Sequence, residues 1–278
     1  VGSWELDNSF LAPMRKAGIE FYPFLPVRFV NVANKIITGT TAINTTAITT
    51  TGDQTYHGNT TLGANASLTA DNAGTAQTVT FNGNVTGVAH SLTINDNTVF
   101  GDAAGDTLNG VTALTVGGNA TFTSSVTATG SIEVDGTSAI NTTTITTTGN
   151  QTYHGNVTLG ANASLTADNA GTAQTVTFNE DVIGANHTLT INDNAVFGDG
   201  TGTDTVSGIT TLHIGNNVVT NSALSAIGTF TVAGNAVINN TINSASSIAV
   251  SGTTDINTTA ISTTGIQTYT GNVTLGSS

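Results

Sequence analysis

The 278-residue chain contains no cysteine, so disulfide bonds and thiol chemistry are both excluded. It has only three prolines, and only 5% of its residues are aromatic. Charged residues make up 8% of the chain, and no uninterrupted apolar run reaches the ~18 residues that a membrane-spanning helix needs. The sequence therefore predicts no membrane span and no disulfide-stapled domain.

Basic residues are missing from most of the chain. The four basic residues all lie in the segment 1–35: Arg15, Lys16, Arg28 and Lys35. The three prolines and the single Trp lie in the same segment. The rest of the chain carries 14 of the 17 acids. Because phosphate groups and anionic lipids are bound through Lys and Arg, neither nucleic acid nor an anionic membrane surface is an expected partner. The break divides the chain into a non-repetitive segment, residues 1–35, and a repetitive domain, residues 36–278.

The repetitive domain is rich in Thr, Val, Asn and Gly. Thr, Val and Ile favour strands, whereas Gly, Asn and Asp favour turns. Long helix-forming side chains such as Lys, Arg and Glu are nearly absent from it. An all-β fold follows from this composition.

Long stretches of the sequence repeat almost unchanged. Residues 43–81 return as residues 140–178, 97 positions later, with differences at only three of 39 positions. A third, partial copy begins at Ile256, 116 positions after the second. The second offset exceeds the first by 19, so the fold accepts an added block of that size. This behaviour is typical of a solenoid, in which each unit contacts only its neighbours.

A shorter period lies within the repeats. A brief apolar–turn–apolar phrase recurs from Tyr56 at intervals of 25, 13, 22, 18 and 19, and from Tyr153 at intervals of 25, 13, 23, 18, 18 and 19. A unit of this length is too small to bury its own apolar side chains, and stacking solves that problem. The sequence thus predicts a parallel β-helix of about twelve coils of ~19–20 residues. The inward-facing positions are predicted to be repeated aliphatic residues: Leu62, Leu68, Val79, Leu92, Ile94 and Val99, with Leu159, Leu165, Val176, Leu189, Ile191 and Val196 as their copies.

A tandem array of immunoglobulin-like sandwiches is the alternative fold. Such domains have about 100 residues, close to the offset of 97. A sandwich core calls for more aromatic residues than these blocks contain, and an insertion as large as the extra block would disrupt it.

One phrase carries a family resemblance. It occurs at residues 58–62 (GNTTL), 155–159 (GNVTL) and 271–275 (GNVTL), within Thr/Asn/Gly-rich units. Residues 36–278 resemble the repeat regions of large bacterial surface adhesins, of the filamentous-haemagglutinin-like and autotransporter-passenger type. The resemblance implies a right-handed parallel β-helix, an extracellular location at the cell surface, and a role as an adhesin or stalk. The Asn-Pro-Asn-Gly motif of two-partner secretion domains does not occur, so the secretion route stays open.

Six aspartates suggest a cation site. They occur in two related Gly-Asp-rich stretches: Asp96, Asp102 and Asp106, then Asp193, Asp199 and Asp204. Calcium takes six to eight oxygen ligands, which stacked Asp, Asn and carbonyl groups can supply. Calcium is therefore the one cofactor hypothesis. Four of the five histidines occur as pairs 97 positions apart, and Thr270 replaces the His57 and His154 position, so histidines of this kind are predicted to be solvated turn residues; His213 stands where the first block has Val116.

A carbohydrate-active enzyme is the functional alternative, because β-helices host pectin lyases and hydrolases. Glycoside hydrolysis needs a carboxylate pair at a defined separation. Here the acids recur with the repeats, whereas an active site normally occurs once. The expected function is non-enzymatic, that of a structural or adhesive stalk or filament subunit.

Two kinds of partner are expected. The sequence stops within a repeat, which predicts either end-to-end self-association or the continuation of a longer chain. An adhesin would also bind a surface glycan or a protein receptor. The aromatic side chains of residues 1–35 are predicted to cap or dock onto a coil end: Trp4, Phe10, Phe21, Tyr22, Phe24 and Phe29.

Overall fold

The computed structural model describes residues 33–72, 74–169 and 171–276. Within these ranges the chain forms strands and turns and no helix. It winds through twelve turns, each placing one strand on each of three faces. The predicted parallel β-solenoid of about twelve coils is confirmed.

Each face is a column of twelve strand segments. The first face contains β1 (Lys35–Ile37), β4 (Gln54–Tyr56), β8 (Thr78–Phe81), β10 (Asn97–Phe100), β12 (Ala120–Phe122), β15 (Ser138–Ile140), β18 (Val157–Leu159), β22 (Val182–Ile183), β25 (Thr205–Ser207), β28 (Ala223–Ser225), β31 (Ile242–Ala245) and β34 (Ile261–Thr263). The second contains β2 (Thr41–Ile43), β5 (Thr60–Leu62), the start of β9 (Val85–Ile94), the start of β11 (Thr107–Val116), β13 (Ser125–Thr129), β16 (Thr144–Thr147), β19 (Ala163–Asn169), β23 (Thr188–Ile191), β26 (Thr211–Ile214), β29 (Thr229–Val232), β32 (Ser247–Val250) and β35 (Gln267–Tyr269). The third contains β3 (Ala47–Thr50), β6 (Ala66–Asn72), the ends of β9 and β11, β14 (Ile132–Val134), β17 (Gln151–Tyr153), β21 (Thr175–Phe178), β24 (Asn194–Phe197), β27 (Val218–Thr220), β30 (Ala236–Ile238), β33 (Thr254–Ile256) and β36 (Val273–Leu275).

Strands of successive turns pair in parallel along every face. Two antiparallel hairpins lengthen single turns without breaking the stack. In these hairpins β7 (Thr75–Ala76) pairs with the end of β6, and β20 (Thr172–Ala173) pairs with the end of β19. The parallel columns rule out the sandwich alternative for the described ranges, because sandwich sheets are antiparallel.

The length of a turn explains the uneven sequence intervals. Along the first face, eleven successive pairings join β1 to β34, so one turn takes roughly 20 residues, at the short end of the range for solenoid repeats. The intervals of 25 are single turns lengthened by a hairpin. The intervals of 13 are different, because Phe81 lies on the first face and Ile94 on the third. That interval covers two-thirds of a turn, so its interpretation as a whole coil is wrong.

Copies of the sequence repeat consequently lie on different faces. Tyr56 is in β4 on the first face, Tyr153 in β17 on the third, and Tyr269 in β35 on the second. Each turn contributes three strand segments, one on each face. Counted in this way along the chain, Tyr153 lies fourteen segments after Tyr56, and Tyr269 lies seventeen segments after Tyr153. The extra three positions are one complete turn, which the added block of sequence supplies.

Strand alternation fills the core. Ten of the twelve predicted inward aliphatic residues are buried, in one continuous apolar cluster. Val99 and Val196 are only half-buried, because their neighbours Phe100 and Phe197 take the inward positions. The aromatic rings stack along two faces. Tyr56, Phe81, Phe100 and Phe122 form one column, with ring centroids 5.0, 5.5 and 5.8 Å apart, and Tyr153, Phe178 and Phe197 form the other.

Two buried glutamines, Gln54 and Gln151, form local hydrogen-bond networks. Gln151 donates from Nε2 to Thr147 Oγ1 (3.2 Å) and to the Thr166 carbonyl (2.9 Å), while its Oε1 accepts from Tyr153 (3.1 Å). The first copy repeats this network around Gln54. Desolvation raises the pKa of the Tyr153 phenol above its ordinary value, so the phenol stays a hydrogen-bond donor.

Asparagine side chains tie successive turns together. Asn194 Oδ1 accepts from the Asn217 N–H, Asn217 Oδ1 from the Asn235 N–H, and Asn235 Oδ1 from the Thr253 N–H, at 3.2, 2.9 and 2.8 Å. These bonds satisfy backbone donors that the strand pairing leaves open at a corner.

Candidate functional site

The first trio of predicted calcium ligands is divided between two corners. Asp96 is almost fully buried between the third and first faces, where its Oδ2 accepts the Ala70 N–H at 2.6 Å. Asp102 and Asp106 lie in the loop between β10 and β11, and Asp106 Oδ2 accepts the Ala103 N–H at 3.1 Å. The structure therefore does not bring these three carboxylates together.

The second trio is divided in the same way. Asp193 is buried at one corner and its Oδ2 accepts the Ala167 N–H at 2.6 Å. Asp199 and Asp204 follow β24 at the next corner, one turn above Glu180 and Asp181. Glu180 and Asp181 were not predicted to be neighbours of this trio because they lie a full turn earlier in the chain.

Carboxylates crowd this second corner. Asp204 raises the pKa of the exposed Glu180 carboxyl by charge repulsion, and desolvation and a hydrogen bond to Asp204 add to the effect. Hydrogen bonds from the Thr201 hydroxyl and N–H, both 2.7 Å, lower the pKa of Asp199. Asp181 Oδ1 accepts the Thr205 N–H at 2.7 Å. Two of these acids thus already accept backbone donors, and calcium binding remains a prediction.

Asp193 provides a test of the buried-corner arrangement. Asp193→Ala is expected to destabilise the protein by about 1–3 kcal/mol, because the buried Ala167 N–H loses its acceptor. Asp193→Asn keeps an oxygen acceptor and is expected to retain most of the stability. Denaturant unfolding at neutral pH, followed by circular dichroism, measures the difference. Equal losses in the two variants would contradict the role given to the acceptor.

The pH dependence of the Asn variant gives a second measurement. Desolvation raises the pKa of Asp193 above its ordinary value of 3.8, so the folded state binds the proton more tightly than the unfolded state. The contribution of Asp193 to stability is therefore greatest below pH 3.8 and declines as pH rises through the folded-state pKa. Asp193→Asn removes this decline, so its stability relative to the parent should rise from pH 4 to pH 7.

A different cluster lies on the third face. Glu133 in β14, Asp135 immediately after it and His154 immediately after β17 place one ligand atom each within 4.8 Å of one another. The His154 Nε2 atom is 3.2 Å from Glu133 Oε1 and 4.0 Å from Asp135 Oδ1. The side chain of His154 is 38% exposed, and those of Glu133 and Asp135 are 55% and 58% exposed. Within the described ranges, no other group of three or more such residues meets this spacing.

A shallow groove lies beside the upper turns. Its lining consists of small, amide and aliphatic residues: Asn186, Gly208, Ile209, Thr210, Ala226, Ile227, Gly228, Ser244 and Ser246. Four of these have positive φ and stack turn upon turn at the bend, namely Asn186, Gly208, Ala226 and Ser244. The lining contains no carboxylate or imidazole that could act as an acid or base.

Several predicted features lie outside the described residues. The six aromatic side chains proposed for capping or docking all fall in residues 1–32. Over the described ranges, the structure contains no helix that is long and apolar enough to cross a membrane.

No protein-family model, curated protein or solved structure matches the chain.

Proposed function

We propose that this chain is a rigid extracellular shaft with a structural or adhesive role. The observation that carries the proposal is the unbroken stack of twelve three-sided turns. At about 4.8 Å per turn, eleven rises give a rod on the order of 53 Å between its first and last strands. A solenoid of this kind separates its two ends by a fixed distance, which is what a stalk must do.

Stiffness follows from the internal contacts. Parallel backbone bonds run along all three faces, and the aromatic columns stack inside two of them. Bending the shaft would open strand pairs on one side and compress the close contacts between turns on the other. A Cβ on Gly155, for example, would lie 2.7 Å from the Gly136 carbonyl carbon, so the turns meet closely at that corner.

The surface supports an adhesive role. Copies of one sequence appear on three faces, so a partner that recognises the repeated Thr/Asn-rich surface can approach from any side. Repeated sites on one rigid body increase avidity without a new kind of contact. The acidic surface, without Lys or Arg after residue 35, also opposes non-specific binding to nucleic acid. The resemblance to adhesin repeats agrees with this assignment.

Electron microscopy and small-angle scattering of the purified chain test the shaft. Isolated rods about 53 Å long between end strands are expected from the turn count. Long fibres would support end-to-end association as well, whereas compact globular particles would contradict the proposal.

Adhesion and enzymatic activity need separate assays. Beads coated with the native chain should be retained on at least one class of surface glycan or glycoprotein, and beads coated with heat-unfolded chain should not. Incubation with pectin-like polymers should release no new chain ends. Release of such ends would overturn the non-enzymatic assignment.

A further inference from the structure

The corner at His154 differs from its two sequence copies in the residues that the preceding turn, the turn below, places next to it. The same turn occurs as Tyr-His-Gly at residues 56–58 and 153–155, and as Tyr-Thr-Gly at residues 269–271. Only the second copy has two carboxylates beneath the imidazole. A feature that occurs once in a repeating chain is not explained by the repeat itself.

Backbone pairing holds the three side chains in place. Glu133 registers with Thr152 across the β14–β17 pair, and the His154 N–H donates to the Val134 carbonyl at 2.9 Å. Glu133 and Asp135 are two residues apart, so strand alternation points both side chains to the same side. The ligands thus come from two adjacent turns whose relative position is fixed by parallel hydrogen bonds.

The spacing suits a small transition-metal ion. With zinc–ligand bonds of about 2.0–2.1 Å, tetrahedral geometry separates neighbouring ligand atoms by about 3.3 Å. His154 Nε2 and Glu133 Oε1 are 3.2 Å apart, and Asp135 Oδ1 needs only a small side-chain adjustment from 4.0 Å. Imidazole favours zinc-like ions, whereas calcium and magnesium prefer oxygen ligands alone.

A fourth side chain can orient the imidazole. Asn179 Nδ2 lies 2.9 Å from His154 Nδ1, in the turn above. The oxygen and nitrogen of an amide exchange places when the group flips over, after which Asn179 Oδ1 would accept a hydrogen bond from the Nδ1–H of His154. That arrangement leaves the Nε2 lone pair directed at the carboxylates, as in many histidine–metal sites.

We propose that Glu133, Asp135 and His154 bind one zinc-class divalent cation, with water completing its coordination. The surrounding charge favours this, because the repetitive domain has no Lys or Arg to compete for the two carboxylates. The site is separate from the aspartates of the calcium hypothesis and does not depend on the function of the shaft.

The first copy provides a matched control. His57 Nδ1 lies 3.1 Å from Asn82 Nδ2, as His154 does from Asn179. Below His57, however, Ile36 registers with Thr55 where Glu133 registers with Thr152, and Thr38 follows where Asp135 stands. The control therefore has the imidazole and the amide without the carboxylates.

Calorimetric titration of the full chain with Zn²⁺ alone at neutral pH tests the proposal. The parent chain is expected to bind one zinc ion. His154→Gln and Glu133→Gln should each weaken binding at least about tenfold, since even outer-sphere substitutions have effects of that size. His57→Gln should leave the affinity unchanged. Absence of saturable binding, an equal loss in His57→Gln, or displacement of zinc by an equal concentration of calcium would overturn the assignment.

Transplanting the acids gives an independent measurement. Ile36 is 63% exposed, so Ile36→Glu combined with Thr38→Asp changes the surface and not the core. With folding checked by circular dichroism, this variant should bind two zinc ions per chain. A folded variant that still binds one would show that carboxylates at these positions are not what creates the site.

Discussion

Deleting residues 215–232 is expected to yield a folded, soluble protein shorter by one turn. The deletion removes β27, β28 and β29, one strand from each face. Ile214 then takes the place of Val232, with which it already registers, and the strands above regain partners on the same faces. Because solenoid stability is a sum over units and their interfaces, the remaining turns keep their contacts. The circular dichroism spectrum per residue should match the parent, and scattering should show a rod about 4.8 Å shorter.

Deleting residues 224–232 provides the control. It removes half as many residues but leaves only six between Thr220 in β27 and Ala236 in β30. Six residues span at most about 21 Å, too little to cross the other two faces and return above β27. The later strands lose their columns and expose inward apolar side chains. We expect low soluble yield and loss of cooperative unfolding. Normal folding of this variant, or failure of the one-turn deletion, would contradict the turn assignment.

The sequence predicted the architecture because a solenoid displays its period directly. The near-identical copies, and the difference between their offsets, required a fold that grows by whole units. Alternation identified most of the core, including Leu62, Leu92 and Ile94. These inferences hold because each turn contacts only the turns above and below it.

The rotation of the repeats among the faces could not be predicted from spacing alone. An interval of 13 between apolar phrases looks like a short coil unless the corners are known. In the folded chain, Phe81 and Ile94 face the core from different sides. Alternation alone also did not decide which of the neighbours Val99 and Phe100 faces the core. The larger phenylalanine points inward and stacks between rings of the neighbouring turns.

The cluster of Glu133, Asp135 and His154 was also not predicted. Its side chains come from two successive turns and so lie far apart in the sequence, and the histidine belonged to a set that recurs with the repeat. A signal was present, since Asp135 precedes His154 by about one turn length and no such acid precedes His57. Such a site is found by asking where the repeat copies differ, at positions that lie one turn before each histidine.

Phe100→Ala is expected to destabilise the shaft by about 3–5 kcal/mol, the usual range for removing a buried phenylalanine ring. Phe100 is 1% exposed and lies between Phe81 and Phe122, with ring centroids 5.5 and 5.8 Å away. Truncation removes both stacking contacts and leaves a cavity within the column. Rigid neighbouring turns cannot collapse to fill it, because their separation is set by the backbone pairing. Denaturant unfolding measures the total loss.

Val99→Ala is the matched control for this substitution, on the same strand. Val99 is half-buried and alternation points it away from the ring column, so its truncation should reduce stability by less than about 1 kcal/mol. Hydrogen exchange distinguishes the two by location: Phe100→Ala should accelerate exchange first in β8, β10 and β12, the strands that the column joins. Similar losses for the two variants, or uniform acceleration along the whole shaft, would contradict a stability that is built turn by turn from contacts between neighbours.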